Sequence, residues 1–435
     1  MAASLLALGR GEADSFSQES CCGEVLIMTH LEPARSRESR IRSTALMLLC
    51  ATLSLALLTP ANTIAARRHH SARSAQKPAA AATAEQYAEA CLMEPTSGTV
   101  IFEKNDHQPW PTASLAKMML TLIVAQKLHD GSLKLSDRIS TSRKAAKMGG
   151  SQVYLKEGET FSLDDMMKAV VVHSANDASA AIAEYIAGST DAFVVMMNRE
   201  AQKLGMKDTH YYSVHGLPPG RGEQADVSSA YDEALLARAM LQYPQVLKWS
   251  SIDTAPFRNG QFLLRNTNHL VRTYTGCDGL KTGFYYKAGF NVVATAHRGN
   301  LRLVAVVLGT PHKLTNFKEA AELMSQGFAN YEMRPVAKKG APVPQSVAVN
   351  GGAQPELNPV FGGDAIVFTK RDDAARTIKV EYKLPGSLAA PVKAGQQVGT
   401  AQVIADGKLV STVALVAPAD IARKPGVLGR IFGRL

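Results

Sequence analysis

The chain has 435 residues, 46% hydrophobic and 20% charged, the balance of a globular protein with material for more than one domain. Lys and Arg outnumber Asp and Glu by 48 to 38, a formal net charge of +10. That excess gathers near the two ends, at Arg35 to Arg42, Arg67 to Lys77 and Arg423 to Arg434, and no basic cluster interleaved with aromatics appears in the body of the chain, a pattern that fits targeting and membrane-surface attraction better than nucleic-acid binding.

In chain order, residues 1–66 read as a targeting region. The apolar run Ala45 to Leu58 is too short to span a bilayer and has the length of a signal-peptide core. Arg40 and Arg42 precede it, and the small-residue site Thr63-Ile64-Ala65 follows. Residues 67–84 (RRHHSARSAQKPAAAATA) form a low-complexity flexible linker. His69 and His70 sit in that tether as solvated side chains. No Cys/His spacing marks a zinc site, and neither metal nor cofactor is expected. Cys21, Cys22 and Cys50 precede the cleavage site. Cys91 and Cys277 remain, either as one disulfide or as two buried thiols.

A first domain is expected over residues 85–335. It opens with two strands joined at Pro95 to Gly98, followed by an apolar helix stopped by Gly131. Helical periodicity recurs over Leu163 to Ala187 and Asp191 to Leu204. After Asp278 a hairpin turns at Arg298 to Asn300, and a last helix runs from Asn316 to Tyr331. Strands at both ends with helices between predict an α+β domain: one antiparallel sheet with a helical cluster. Residues 340–418, short β-type segments between turns, predict a small all-β domain. Over residues 419–435, Val427, Leu428, Ile431, Phe432 and Leu435 fall on one helical face with Arg430 and Arg434 elsewhere, the pattern of an amphipathic anchor on an anionic membrane surface.

Chemistry is legible at three places. Ser114 and Lys117 are three residues apart on a predicted helix, so they share a face. A serine hydroxyl needs an adjacent base, and a lysine serves if its surroundings lower its pKa. Taken alone the spacing is common: Ser74 to Lys77 repeats it inside the tether. Ser174-Ala175-Asn176 is a polar triplet between two helical segments, suited to lining a cleft; a plain helix N-cap, supplied by Asp177, is the ordinary alternative. Lys281-Thr282-Gly283 follows a turn at Cys277 to Gly279 and precedes the strand GFNVVATA; on a sheet edge the lysine and threonine can hold an anion, and Gly283 permits close backbone approach.

In that order the three motifs resemble penicillin-binding proteins and serine β-lactamases. The stretches TASLAKMM, HSANDASAAIAEYI, VHGLP and DGLKTGFYYKAGFNVVATA further resemble the low-molecular-mass D-alanyl-D-alanine carboxypeptidases, from about Glu85 to Tyr331. The resemblance implies a DD-peptidase/β-lactamase-like fold with a β domain behind it. It implies trimming of peptidoglycan stem peptides through an acyl-enzyme, inhibition by β-lactams, and a periplasmic enzyme peripherally attached to the inner membrane. By position it makes Ser114 the nucleophile and Lys117 its base. Ser174 becomes a proton relay and Asn176 a holder of a substrate carbonyl. Lys281, Thr282 and Gly283 bind the terminal carboxylate region, and the backbone N–H groups of Ser114 and Phe284 form the oxyanion hole. Ala116 and Phe284 depart from the threonine and histidine frequent in the family, and Lys313 and Lys318 are both candidates for a carboxylate-binding cation. His215 reads as structural. The competing readings are a β-lactamase, a non-enzymatic wall-binding scaffold and, on bulk charge alone, a DNA-binding protein. The lactamase needs a deacylating glutamate between the second and third motifs, and Pro355 to Asn358 lies too late in the chain.

Overall fold

The computed structural model describes residues 86–373 and 376–424; the expected targeting region, the whole of the expected linker 67–84 and residues 425–435 of the expected anchor lie outside them. Five antiparallel strands form the first sheet: β1 (Glu89–Glu94), β2 (Thr99–Lys104), β3 (Cys277–Tyr285), β4 (Gly289–Arg298) and β5 (Leu301–Thr310), in the order β2-β1-β5-β4-β3. β1 pairs directly with β5, with Cys91 opposite Val306, so the two ends of the domain meet in mid-sheet. The period of two divides each strand between two cores. Cys91, Met93, Val293, Val304 and Val306 face a helical cluster. Ala90, Leu92, Val292, Ala294 and Val307 face the other side. Cys91 and Cys277 fall in different cores as free buried thiols.

Sequence sets each helix of the cluster. α1 (Lys117–His129) is buried from Lys117 through Ala125, the mark of a helix enclosed on all sides. α2 (Leu163–Val172) starts where Ser162 Oγ accepts from the Asp165 amide, and α4 (Thr190–Leu204) where Ser189 Oγ accepts from the Ala192 amide. Between them α3 (Asn176–Ala187) stops at Gly188, whose φ of +79° suits a residue without Cβ. The helical stretch expected over Leu163 to Ala187 is therefore two helices, broken at His173 to Ala175. α5 (Ala230–Met240) and α6 (Pro244–Ser250) complete the cluster, and α7 (Thr315–Asn330) covers the opposite face through Ala320, Met324 and Phe328.

The second domain is all β: β6 (Tyr331–Ala337), β7 (Val347–Asn350), β8 (Ala365–Lys370), β9 (Ile378–Lys383), β10 (Ser387–Ala389), β11 (Gln397–Ala405) and β12 (Lys408–Val416). Its boundaries differ from the expected ones at both ends. Residues 331–335, read from sequence as the end of the first domain, belong to β6, which pairs antiparallel with β8. Residues 419–424, read as the start of the tail, pack into the second domain: Ile421 bridges Val392, and Arg423 bridges Gly352. In each case strand pairing between distant segments overrides the local composition that marked the boundary.

Trp249 ties α6 to α2: its ring is buried, and its Nε1 donates to Asp164 Oδ1 at 2.8 Å. Trp249→Ala removes that packing and leaves a cavity, so it should lower unfolding stability by about 3–5 kcal/mol in urea titrations; an unchanged midpoint would contradict this packing.

Candidate active site

The nucleophile motif lies on a tight turn. Ala113, in left-handed backbone at φ +50°, starts a 3-10 turn over Ala113–Ala116 that runs straight into α1 at Lys117. Ser114 in the turn and Lys117 at the first position of α1 are three residues apart and share a face, which brings Lys117 Nζ to 2.8 Å from Ser114 Oγ. Lys117 is fully buried and also donates to the His215 carbonyl at 2.6 Å. Burial drives its pKa well below the ordinary 10.5, the positive charge of Lys281 pushes the same way, and Asp226 and Asp177 oppose both. A neutral amine with one N–H given to His215 has its lone pair free for the serine proton.

The second motif occupies the break between α2 and α3. Ser174, in left-handed backbone at φ +66°, accepts a hydrogen bond from Lys281 Nζ at 2.9 Å. Asn176 is the first residue of α3, with Ala175 at the cap and no side-chain cap bond. The alternative of an Asp177 cap is therefore corrected. Asp177 instead accepts from the Val153 and Leu155 amides and holds that loop. Asn176 lies beneath the cleft, donating from Nδ2 to the Gly149 carbonyl at 2.7 Å, while its amide N–H donates to the Ser151 carbonyl. Its buried Oδ1 has no hydrogen-bond partner among the described residues.

The third motif is on β3, the outer strand of the sheet, whose open side faces Ser114. Arg302 grips Asp278 with two bonds of 2.7 and 2.8 Å, Ser250 Oγ donates to the Asp278 carbonyl, and Asn268 Nδ2 to the Gly279 carbonyl. This anchoring fixes Lys281 two residues on. Lys281 is buried, also donates to the Thr282 carbonyl, and is pushed down to about 7 by burial. Thr282 Oγ1 bonds Thr267 Oγ1 at 2.8 Å. A Cβ at Gly283 would lie 3.1 Å from the Ser114 amide nitrogen and 2.5 Å from the Thr112 carbonyl, so glycine is required where strand and nucleophile backbone meet.

A cleft of about 240 Å³ opens over these groups. Ser114, Ser174, Thr282, Gly283 and Phe284 line it, with Ser151, Thr267, His269, Lys313, Asn316 and the apolar Phe290, Leu314 and Phe317. The structure thus gathers all eight sequence-derived residues, in two layers: five face the cleft, while Lys117, Asn176 and Lys281 sit below as buried supports. Of the two candidate cations, Lys313 lines the cleft and Lys318 does not. Sequence reading passed over the backbone carbonyl of His215. The His215 imidazole, pushed down to about 4 by burial, stays neutral and accepts the Leu217 amide at Nδ1.

Residues 72–312 match the family model of D-alanyl-D-alanine carboxypeptidases, and residues 331–423 match that of the penicillin-binding protein 5 C-terminal domain. The chain belongs to this carboxypeptidase family. It is 34% identical to the D-alanyl-D-alanine carboxypeptidase DacF of Bacillus subtilis, over 77% of this chain and 85% of that one. It is 33% identical to DacC of Escherichia coli, over 78% and 85% respectively. In three dimensions it is similar to penicillin binding protein 5 of Haemophilus influenzae, with a TM-score of 0.61 at 28% identity, over 79% of this chain and all of that one. As a member of a serine carboxypeptidase family the chain is a hydrolase, which gives the Ser114–Lys117 contact its meaning: a hydroxyl beside an amine whose protonated form is disfavoured by burial.

Two outcomes follow from this geometry. Gly283→Ala should slow acylation by a β-lactam on the order of 100-fold by shifting the Ser114 backbone, and lower unfolding stability by about 1–3 kcal/mol; a wild-type rate would contradict the close approach. Acylation should also rise with pH as Lys117 loses its proton, with its acid limb far below the ordinary lysine value of 10.5. A pH–rate profile whose limb lies near that value would contradict the buried, neutral amine.

Proposed function

We propose that the chain removes the terminal D-alanine from peptidoglycan stem pentapeptides. The observation that carries this reading is the 2.8 Å approach of a fully buried Lys117 Nζ to Ser114 Oγ. Ser114 Oγ attacks the carbonyl carbon of the penultimate D-alanine while its proton passes to Lys117. The oxyanion is met by the backbone N–H groups of Ser114 and Phe284, preorganised donors for the developing charge. Collapse breaks the peptide bond; the leaving amine takes up a proton relayed from Lys117 through Ser174, and D-alanine departs. Water then hydrolyses the ester, with Lys117 again accepting a proton. The terminal carboxylate sits against Thr282 and Lys313, with Lys281 and Gly283 shaping the site, and Asn176 acts from below by fixing the 149–151 loop. A β-lactam follows the same course and leaves a slowly released adduct.

The β-lactamase alternative is disfavoured because, among the described residues, none of the glutamates between Asn176 and Lys281 lines the cleft. Glu356 belongs to the second domain, opposite Ala348 of β7. The scaffold alternative is disfavoured because every reacting side chain is in place. The enzyme is further placed in the periplasm on the layout of Arg40, Arg42 and the run from Ala45 to Leu58, and at the inner-membrane surface on the amphipathic pattern ending at Leu435.

Ser114→Ala should abolish both labelling by a fluorescent penicillin and release of D-alanine from a pentapeptide, with circular dichroism unchanged; persistent labelling would reassign the nucleophile. Deleting residues 426–435 should move the protein from the membrane to the soluble fraction, and unchanged partitioning would remove the anchor.

A further inference from the structure

The turn that presents the His215 carbonyl to Lys117 is held from beneath by one buried carboxylate. Asp226 Oδ1 accepts the Tyr212 amide at 2.6 Å and the Ser213 amide at 2.8 Å, and Oδ2 accepts the Ser213 hydroxyl at 2.6 Å. Ser213 Oγ in turn accepts the Gly216 amide at 2.8 Å and, more weakly, the His215 amide at 3.3 Å. The main chain of the same aspartate reaches the other side of the site. Its carbonyl accepts the Thr112 amide at 3.1 Å, two residues before Ser114. The flanking strands agree: Trp110 and Pro111 pair with Ser228 and Val227. At Gly216 (φ +73°) the turn lies directly on the Ala113 carbonyl, with no room for a Cβ.

We infer, on the reading of Ser114 and Lys117 given above, that Asp226 is a positioning residue that clamps the base-orienting turn to the backbone carrying the nucleophile. A lysine side chain has four rotatable bonds. The His215 carbonyl is the acceptor that fixes the last of them, so a turn free to shift by a fraction of an ångström would let the amine leave the serine. Asp226 is 4% exposed and does not line the cleft over Ser114, so it acts through Ser213 and His215 rather than on substrate. Its charge also reaches Lys117. The groups acting on that amine are Lys281 of β3, Asp177 of α3 and Asp226, the two carboxylates favouring its protonated form.

The test measures acylation of the full chain by a fluorescent penicillin across pH. Asp226→Ala should slow acylation roughly tenfold or more. Asp226→Asn keeps an oxygen for the two amides, so it should recover most of that loss while its acid limb moves to lower pH, because one of the two carboxylates favouring protonated Lys117 is gone. Ser213→Ala, which leaves the carboxylate in place, should also be slowed. Asp226→Ala reacting at the wild-type rate overturns the clamp, as does Asp226→Asn matching the alanine variant with an unmoved limb. If Asp226→Ala does not fold, Ser213→Ala decides, and a wild-type rate there overturns the inference. A wild-type chain that fails to label would instead strike at the serine-enzyme reading itself.

Discussion

A lysine amine that is enclosed away from water and hydrogen-bonded to a serine and a carbonyl rather than to a carboxylate is the constraint on which this molecule is organised. In water Lys117 would be an ammonium ion with no use to a serine. Inside the helical cluster, with a second cation on the neighbouring strand, the charged form is disfavoured. The fold supplies that enclosure. α1 is apolar enough to be surrounded, the 3-10 turn at its start aligns Ser114 above the amine, and the edge strand β3 brings Lys281 to the same cavity from the opposite direction.

That arrangement carries a stability cost with a definite sign. A lysine whose folded pKa is depressed takes its proton later than the unfolded chain does as pH falls. For Lys281 the folded state therefore loses stability as pH drops from the ordinary 10.5 to about 7, below which no further loss accrues. The left-handed backbone at Ala113 and Ser174 is a cost of the same kind, in non-glycine residues flanking the chemistry. Two well-packed cores on either side of the sheet, and an edge strand pinned through Asp278, Gly279 and Arg302, offset these costs and keep the groups in register.

Much of this is legible in the sequence because the chemistry follows local periodicities. Ser114 and Lys117 meet because residues three apart share a helical face, and Lys281 to Gly283 stand out beside a strand-like run, although the expected turn at Cys277 to Gly279 proves to be part of β3 itself. What escapes has no local signal. His215 works through its carbonyl, which every residue possesses. Asn176 reads as a substrate ligand, yet backbone partners at Gly149 and Ser151 hold it below the surface. The choice between Lys313 and Lys318 depends on where α7 begins relative to the cleft. The start of the second domain is hidden because β6 is defined by its partner β8, some thirty residues later, while a Pro/Gly/Ala-rich segment nearby imitates a boundary.

The most direct measurement is a titration of the Lys117 side chain itself, by NMR of the protein carrying lysine labelled at Cε, with the resonance assigned by its absence in Lys117→Arg. Lys117 should titrate far to the acid side of 10.5. A Cε resonance that titrates near the ordinary lysine value would contradict it, leaving Ser114 without its base.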